Sequence, residues 1–509
     1  MPSWTAVVAQ IPFDRSREVP FHRQIYEGYR EAILGGRLRP RDRLPSTRQL
    51  ADELGISRTP VFDAFERLRY EGFVEGRPGA GTFVVLQPPN SRAHGGDPTI
   101  DVALPGDRWL PEAIGEPRVR LRPFHRSVPA VDRFPLQLWG QLVRRHAGQF
   151  ADESQRRGDP AGLGHLREQA ARHLRTVRLV NCDPEQVFIV SGSRMALQMC
   201  ALALLESNGT VGAEACTRLS ALHGLTALRV PVELIPPEHA GSDDVLRTRI
   251  SGRIGFVYVT PSHRYLFGPP MSDRYRRQLL RWAEANEAWI LEEDYDGDLR
   301  HDDRRPVPLH SEGPDRVIYL LTFVRSMFPG LKTHFLVVPP STVPTFIRVR
   351  RAVLGTTLTS HQAALADFVG DGHYARHVRR MRPVYTRRRD ALLASLRRHG
   401  EGVLTPHSVE AGIDLAVTFT ADVHDKDVSR TAANQGLSTV ALSHFYPDRN
   451  GLILGFGCST PQQLDDAAHT LLDIIRSTSR VRPRTNQETA PVALSPQVTV
   501  RGQRVSTER

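Results

Sequence analysis

Short apolar runs alternate with helix-length amphipathic segments over most of the chain, from about residue 121 to 477. The runs are rich in β-branched residues and include QVFIVS (186–191), RIGFVYVTPS (253–262), AWILEEDY (288–295), RVIYLLTF (316–323) and THFLVV (333–338). Strands that are apolar on both faces are typical of parallel sheets covered by helices on both sides. The alternation therefore predicts a large α/β domain built on a mostly parallel sheet.

A smaller helical module precedes this domain and ends where Pro, Gly, Ser and Asn accumulate in PPNSRAHGGDP (88–98). We predict an N-terminal arm over 1–19, the module over 20–87, a linker over 88–120 and the α/β domain over 121–478. A smaller C-terminal lobe is expected within that domain after about residue 375. Residues 479–509 are basic and poor in core-forming side chains, which predicts a disordered tail.

Charge and cysteine content exclude several classes of protein. Lys and Arg exceed Asp and Glu by 11 (67 against 56), a surplus too thinly spread over 509 residues to establish polyanion binding. The four cysteines form no CxxC pair, which argues against a disulfide framework or a structural zinc site. No apolar run approaches the roughly 18 residues of a membrane span, and the N-terminus lacks the pattern of a secretory signal. A cytoplasmic, nucleoid-associated protein is expected.

The N-terminal module contains three predicted helices. The first runs from about Phe21 to Leu34 and repeats apolar residues every four positions. The second opens at Ser46, which forms a capping-box pattern with Gln49, and Ser57 is predicted to cap the third. Two helices joined by a short turn form a helix-turn-helix, in which the N-terminus of the second helix enters the major groove of DNA.

A glycine-rich β-hairpin is predicted after the third helix, in the segment VEGRPGAGTFVV (74–85). Arg77 lies near its tip, and the glycines let the backbone approach a phosphate chain closely. The order of helices, turn and hairpin favours a DNA-binding module. A protein-docking module with solvated arginines is the alternative interpretation of the same pattern.

The segment RLPSTRQLADELGISRTPVFDAFERLRYEGFVEGRPGAGTFV (43–84) closely resembles the winged helix-turn-helix of the GntR regulators. The resemblance implies that the module binds a double-stranded DNA operator. The positions that meet DNA in that family correspond in this chain to Arg48, Ser57, Arg58, Thr59, Arg77 and Gly79.

Four segments of the larger domain resemble the MocR subfamily of these regulators, whose second domain is similar to a fold-type I aminotransferase. They are TPSHRYLFGPPMS (260–272), WILEEDYDGDLR (289–300), VIYLLTFVRSMFPGLKTHFLVVPP (317–340) and DGHYARHVRRMRPVYTRRRDAL (371–392). The resemblance implies a multidomain chain, with a winged helix-turn-helix followed by an α/β aminotransferase-like domain. It also implies a homodimer.

The cofactor of that family, pyridoxal phosphate, is held by fold-type I enzymes as a Schiff base on a lysine. The family pattern resembles TFSKTLFPALRLGY, whereas this chain has TFVRSMFPGLKTHF (322–335), which puts Arg325 at the lysine position. A guanidinium stays charged and is a poor nucleophile, so it forms no aldimine. The sequence has only two lysines, Lys332 and Lys426, and Lys332 falls where the family has the arginine that pairs with the cofactor phosphate.

Further positions depart from the family pattern. By the resemblance, Glu293 replaces the aspartate that faces the pyridine nitrogen, Thr217 replaces the tyrosine that stacks on the ring, and Cys458 replaces the arginine that holds a substrate carboxylate. His263 and Tyr295 match the pattern. The pocket that the resemblance implies consists of Ser193, Thr217, His263, Glu293, Tyr295, Arg325, Lys332 and Cys458.

These departures favour a DNA-binding transcriptional regulator whose aminotransferase-like domain is a pseudoenzyme. Pyridoxal phosphate is expected to be absent or bound only non-covalently. The pocket either binds an anionic effector through Arg325, Lys332 and His263 or serves only as a dimer scaffold, and an internal salt bridge from Arg325 to Glu293 is compatible with both. The alternative function is a pyridoxal-phosphate-dependent aminotransferase with an appended DNA-binding domain.

Overall fold

The computed structural model describes residues 13–16, 19–85, 121–148, 158–206, 209–214, 219–235, 254–262, 270–302, 306–354, 359–446 and 449–480. The chain divides into two compact units, Met1–Ala103 and Leu104–Arg509. The linker predicted over 88–120 lies outside the described residues, and so does the predicted tail from residue 481 onward.

In the described part of the N-terminal unit there are three helices: α1 (Phe21–Leu34), α2 (Thr47–Leu54) and α3 (Arg58–Tyr70). The first predicted helix is confirmed with the predicted bounds. Its apolar stripe is buried, and the ring of Tyr29 meets Phe65 of α3 edge to face, with ring centres 5.4 Å apart. The helices therefore share one small core.

The turn between α2 and α3 is short. Ser46 caps α2, because its hydroxyl accepts a hydrogen bond from the backbone N–H of Gln49 at 3.1 Å. Gly55 ends α2 in the left-handed conformation (φ 61°), which glycine adopts without strain. Ser57 occupies the N-cap position of α3, but its hydroxyl makes no capping hydrogen bond. The predicted cap by Ser57 is wrong, since this exposed side chain leaves the first N–H groups of α3 to solvent.

The predicted hairpin is confirmed by strands β1 (Val74–Arg77) and β2 (Gly81–Val84), which pair antiparallel. The first residue of β1 lies opposite the last residue of β2, so the two strands align over their whole length. Gly79 lies in the connecting turn with φ 71°, in the left-handed region that favours glycine.

The larger unit is built on a seven-stranded sheet in the order β3-β9-β8-β7-β6-β4-β5. Its strands are β3 (Val187–Val190), β4 (Thr210–Glu214), β5 (Val232–Ile235), β6 (Ile254–Val259), β7 (Trp289–Asp294), β8 (Val317–Thr322) and β9 (His334–Val337). Strands β4 to β8 run parallel, whereas β9 is antiparallel to both of its neighbours. The predicted mostly parallel sheet is confirmed, with one reversed strand.

Helices cover both faces of this sheet. Those among the described residues are α4 (Leu136–Ala147), α5 (Gly164–His173), α6 (Ser193–Leu204), α7 (Leu219–Ala227), α8 (Asp273–Ala285), α9 (Val343–Val349) and α10 (Thr359–Gly370). Alternate residues of β3 enter different cores: Val187 and Ile189 pack with α5 and α10, whereas Phe188 and Val190 pack with α6 and α9. This alternation explains why the strands are apolar throughout.

A C-terminal lobe follows the long helix α11 (His373–His399). It contains a four-stranded antiparallel sheet in the order β10-β11-β13-β12, with strands β10 (Leu404–Pro406), β11 (Asp414–Phe419), β12 (Val440–Ala441) and β13 (Gly451–Gly455). Helices α12 (Asp425–Asn434) and α13 (Pro461–Arg480) share one core with α11 and this sheet. Within the described ranges, no helix combines the length and apolarity that a membrane crossing requires.

A buried histidine makes the stability of the larger unit sensitive to acid. His310 lies in the 3-10 turn Leu309–Ser311, and neither of its ring nitrogens has a hydrogen-bond partner among the described residues. Burial lowers the pKa of His310 to about 4, from an ordinary value of about 6.5. The unfolded chain therefore binds this proton more readily. The stability that depends on neutral His310 is present above pH 6.5 and is lost as the pH falls towards 4.

We expect this histidine to destabilise the wild-type protein by about 2 kcal/mol at pH 5 relative to pH 8. His310→Phe keeps a ring in the site without a titrating group, so the loss of unfolding free energy on acidification should shrink by that amount. Urea unfolding at both pH values measures it, with His361→Phe, at an exposed position of α10, as the control. An identical acid effect in wild type and His310→Phe would contradict this origin.

Candidate nucleic-acid interface and sheet-edge site

The N-terminus of α3 presents the predicted DNA contacts to solvent. Ser57, Arg58 and Thr59 are all exposed there. The Nε of Arg58 donates a hydrogen bond to Oγ1 of Thr47 at 2.9 Å, which places Arg58 beside the start of α2, where Arg48 is also exposed. The first-turn N–H groups of a helix attract anions. This face can therefore hold phosphate groups while an arginine reaches a base edge.

Arg77 lies at the end of β1, next to the tip of the hairpin. Its Nη2 forms an ion pair with Oε1 of Glu75 at 2.6 Å, and its guanidinium carbon lies 5.1 Å from the ring centre of Phe83. A Cβ added at Gly79 would meet no heavy atom within 4 Å, so the tip of the hairpin is open. A phosphate group bound here would compete with Glu75 for Arg77.

The sequence interpretation missed Arg43, which also lies against this hairpin. Its backbone forms an isolated bridge with Phe83, and its Nε would lie only 2.7 Å from a Cβ added at Gly81. The side chain of Arg43 is exposed. Its approach to the hairpin depends on the path of the chain between α1 and α2, which no local pattern indicates.

A buried arginine lies at the carboxyl edge of the larger sheet. Arg325 follows β8 and Asp296 follows the adjacent parallel strand β7, so both reach the same edge. The Nε of Arg325 donates to Oδ1 of Asp296 at 2.6 Å, and its Nη1 donates to Oδ2 of Asp414 at 3.0 Å and to Oγ of Ser127 at 2.7 Å. Because Asp414 begins β11, the guanidinium joins the C-terminal lobe to the large sheet. The two carboxylates offset its charge.

Glu293, the last residue but one of β7, forms different contacts. Its carboxylate accepts hydrogen bonds from the hydroxyls of Ser193, the first residue of α6, and of Tyr258 on β6. The alternative interpretation in which Arg325 forms a salt bridge with Glu293 is therefore wrong. Asp296 and Asp414 occupy the positions around the guanidinium that such a bridge requires.

The other predicted pocket residues are only partly brought together. Tyr295 is buried, with its ring centre 5.8 Å from the guanidinium carbon of Arg325. Cys458 lies in the turn after β13, and burial raises the pKa of its thiol. Lys332 is exposed in a left-handed conformation (φ 45°) and has no ion pair with a carboxylate of the described residues. Thr217 and His263 lie outside the described residues.

Four residues of this site escaped the sequence interpretation: Ser127, Tyr258, Asp296 and Asp414. Asp296 directly follows Tyr295 in the motif EEDYDGD (292–298), so its position after a buried strand was a usable signal. Asp414 lies 89 residues beyond Arg325, and Ser127 lies 198 residues before it. Only the tertiary fold brings these two residues to the guanidinium.

Comparisons with known proteins found matches to each of the two units. Residues 21–84 match the family model described as bacterial regulatory proteins, gntR family. Solved structures similar to the larger unit include an archaeal alanine:glyoxylate aminotransferase (TM-score 0.64, 18% identity, covering 71% of this chain and 92% of that one). A kynurenine aminotransferase of Pyrococcus horikoshii aligns with TM-score 0.62 and 22% identity over 74% of this chain and 98% of its own. These structures establish the aminotransferase fold.

Curated relatives match across both units. The probable rhizopine catabolism regulatory protein MocR of Rhizobium meliloti is 35% identical over 482 residues, which cover 90% of this chain and 94% of that protein. The pyridoxine biosynthesis transcriptional regulator PdxR of Corynebacterium glutamicum is 28% identical, with 85% of this chain and 91% of that protein covered. A winged helix-turn-helix of GntR type, an aminotransferase fold and a relative of this similarity establish the family. This chain belongs to the MocR subfamily of GntR transcriptional regulators.

Proposed function

We propose that this DNA-binding regulator recognises its operator with the N-terminus of α3 and the β1–β2 hairpin, and that its aminotransferase-like domain works without transamination. That domain senses a small molecule or serves as the scaffold of a homodimer. The first half of the proposal is supported by exposed Arg48, Arg58 and Thr59 at two adjoining helix N-termini. Arg77 at the hairpin adds a second potential phosphate contact.

One observation carries the second half of the proposal: the partners of Arg325. A Schiff base requires an amine, and the guanidinium at this position is instead held by Asp296 and Asp414. The two lysines of the chain offer no substitute, because Lys332 and Lys426 are both exposed and Lys426 belongs to α12 in the C-terminal lobe. The residues present do not fit a covalently held pyridoxal phosphate.

The carboxylate of Glu293 supports the same proposal. A carboxylate that faced a pyridine nitrogen would use its oxygens on the cofactor, but Glu293 accepts hydrogen bonds from Ser193 and Tyr258 of the protein itself. Ser193 is the first residue of α6, and its hydroxyl donates to Glu293 rather than to an anion at that helix terminus. The sheet edge is therefore organised around contacts within the protein.

Borohydride reduction tests the absence of a Schiff base. We expect the protein to purify colourless. We expect it to gain much less than one phosphopyridoxyl group per chain after incubation with one equivalent of pyridoxal phosphate and borohydride, because exposed amines hold the aldehyde only weakly and no buried lysine amine is available. A fold-type I aminotransferase of known activity, treated in parallel, should gain the mass of one phosphopyridoxyl group per chain. An adduct on Lys332 or Lys426 that reaches one per chain would support the alternative function of an aminotransferase with an appended DNA-binding domain.

A further inference from the structure

A cavity of about 410 Å³ opens between the start of α4 and the first turns of α11. Pro135 and Leu138 provide an apolar wall, and Arg376, Arg379 and Arg380 line the opposite side. Its volume falls within the range of about 300–1,000 Å³ that is usual for small-molecule sites. Neither the DNA-binding face nor the contacts of Arg325 use these residues.

The three arginines carry positive charge that no carboxylate of the described residues offsets by an ion pair. The Nη2 of Arg376 donates to the backbone oxygen of Asp371 at 3.1 Å, and the Nη2 of Arg380 donates to the backbone oxygen of Arg133 at 2.9 Å. Carbonyl oxygens orient a guanidinium but do not neutralise it. Arg379 is exposed and makes no hydrogen bond or ion pair within the described ranges.

Two histidines hold the arginine head groups in place. Nδ1 of His373 lies 2.7 Å from Nη2 of Arg376, and Nδ1 of His377 lies 3.4 Å from Nη2 of Arg380. Burial lowers the pKa of His377, which keeps this imidazole neutral and able to accept. The guanidinium groups of Arg376 and Arg380 are therefore positioned before any ligand arrives, so binding an anion costs less side-chain entropy.

The inner wall of the cavity touches the segment that carries the sheet-edge arginine. Nε2 of His377 donates to the backbone oxygen of Ser326 at 2.9 Å, and Ser326 directly follows Arg325. The hydroxyl of Ser326 also lies 2.9 Å from that of Tyr374, the second residue of α11. Movement of α11 at the cavity would therefore act on the segment after β8, whose Arg325 contacts Asp414 of the C-terminal lobe.

We propose that this cavity binds a small organic anion with at least two negative charges and an apolar body, of the class of aromatic phosphate monoesters and aromatic dicarboxylates. Such a head group accepts several charge-assisted hydrogen bonds from guanidinium groups. Its apolar body would lie against Pro135 and Leu138. The inference deepens the proposed sensing role and rests on it for its biological meaning, but its test measures binding directly.

Isothermal titration of the full-length protein with phenyl phosphate or phthalate, at fixed ionic strength and pH 8, tests the site. We expect saturable binding of at least one of them at one site per chain. Arg376→Gln and Arg379→Gln should each weaken binding about tenfold. Arg387→Gln removes the same charge from an exposed position of α11 outside the cavity and should leave binding unchanged. Leu138→Ala should weaken phenyl phosphate but not inorganic phosphate.

Three results would overturn the proposal. They are no saturable heat with either probe, an equal loss of binding in Arg387→Gln and Arg379→Gln, and displacement of a bound probe by a short duplex of unrelated sequence. The last result would assign the arginines to nucleic acid instead. None of them bears on borohydride reduction, so failure of this site and failure of the proposed function are distinguishable.

Discussion

Replacing Arg325 with alanine is expected to lower the free energy of unfolding of the larger unit by about 3–5 kcal/mol. The substitution removes a cation that the structure pairs with both Asp296 and Asp414, and it leaves both carboxylates buried. It also removes the hydrogen bond to Ser127. Urea unfolding of the full chain, followed by circular dichroism, measures the change.

An exposed ion pair supplies the control for this experiment. Arg430 pairs with Asp427 at 2.6 Å on α12, and their side chains are 75% and 40% exposed. Arg430→Ala should therefore lower stability by less than about 1 kcal/mol. Equal losses of stability in Arg325→Ala and Arg430→Ala would show that burial adds nothing to the contacts of Arg325.

Arg325→Lys keeps the charge but not the planar guanidinium. Its free energy of unfolding should therefore lie between those of the wild type and Arg325→Ala. The variant should also gain no transaminase activity.

Replacing Arg58 with alanine is expected to weaken binding of the operator by about 1–3 kcal/mol, which corresponds to roughly 5- to 150-fold in Kd. Arg58 is exposed at the N-terminus of α3, and its hydrogen bond to Thr47 already directs it towards the face shared with α2. An arginine placed there can contact a guanine edge with two hydrogen bonds. A gel-shift titration at fixed salt, on a duplex selected by the protein from random sequences, measures the effect.

Two variants separate base contact from simple charge. Arg58→Lys keeps the charge and should recover phosphate attraction while losing discrimination between bases. Arg23→Ala removes an arginine from α1, where it pairs with Glu27 at 2.8 Å, and should change Kd much less. Unchanged affinity in Arg58→Ala would rule out the N-terminus of α3 as the reading element.

Local patterns were sufficient for much of the fold. The four-residue repeat of α1 predicted its bounds, because the buried stripe that includes Tyr29 follows the helical period. Ser46 and Gly55 marked the ends of α2, since each acts through its own backbone neighbours. The apolar runs of β3, β7 and β8 predicted the buried sheet because both faces of each strand meet helices.

The partners of the site residues were beyond those patterns. Ser57 has the right residue type for a cap, but whether its hydroxyl turns to the helix depends on local rotamer choice. Glu293, the carboxylate suggested from the sequence as a partner of Arg325, bonds to Ser193 instead, and Asp296 accepts from Arg325. Asp414 binds Arg325 because the C-terminal lobe packs against the edge of the large sheet. The spacing of these residues in the sequence does not predict that packing.

The hydrogen bonds of Arg325 also limit which substitutions evolution can accept at this position. Two nitrogens of one planar group serve three acceptors: Nε donates to Asp296, and Nη1 donates to Asp414 and Ser127. A lysine at this position would reach these acceptors with a single ammonium group. Arg325→Lys is therefore expected to lower the free energy of unfolding. To tolerate the lysine, Asp296, Asp414 and Ser127 would have to change as well. Each of those changes is expected to lower stability while Arg325 is still present. Selection for a folded protein alone would therefore be enough to retain an arginine at this position.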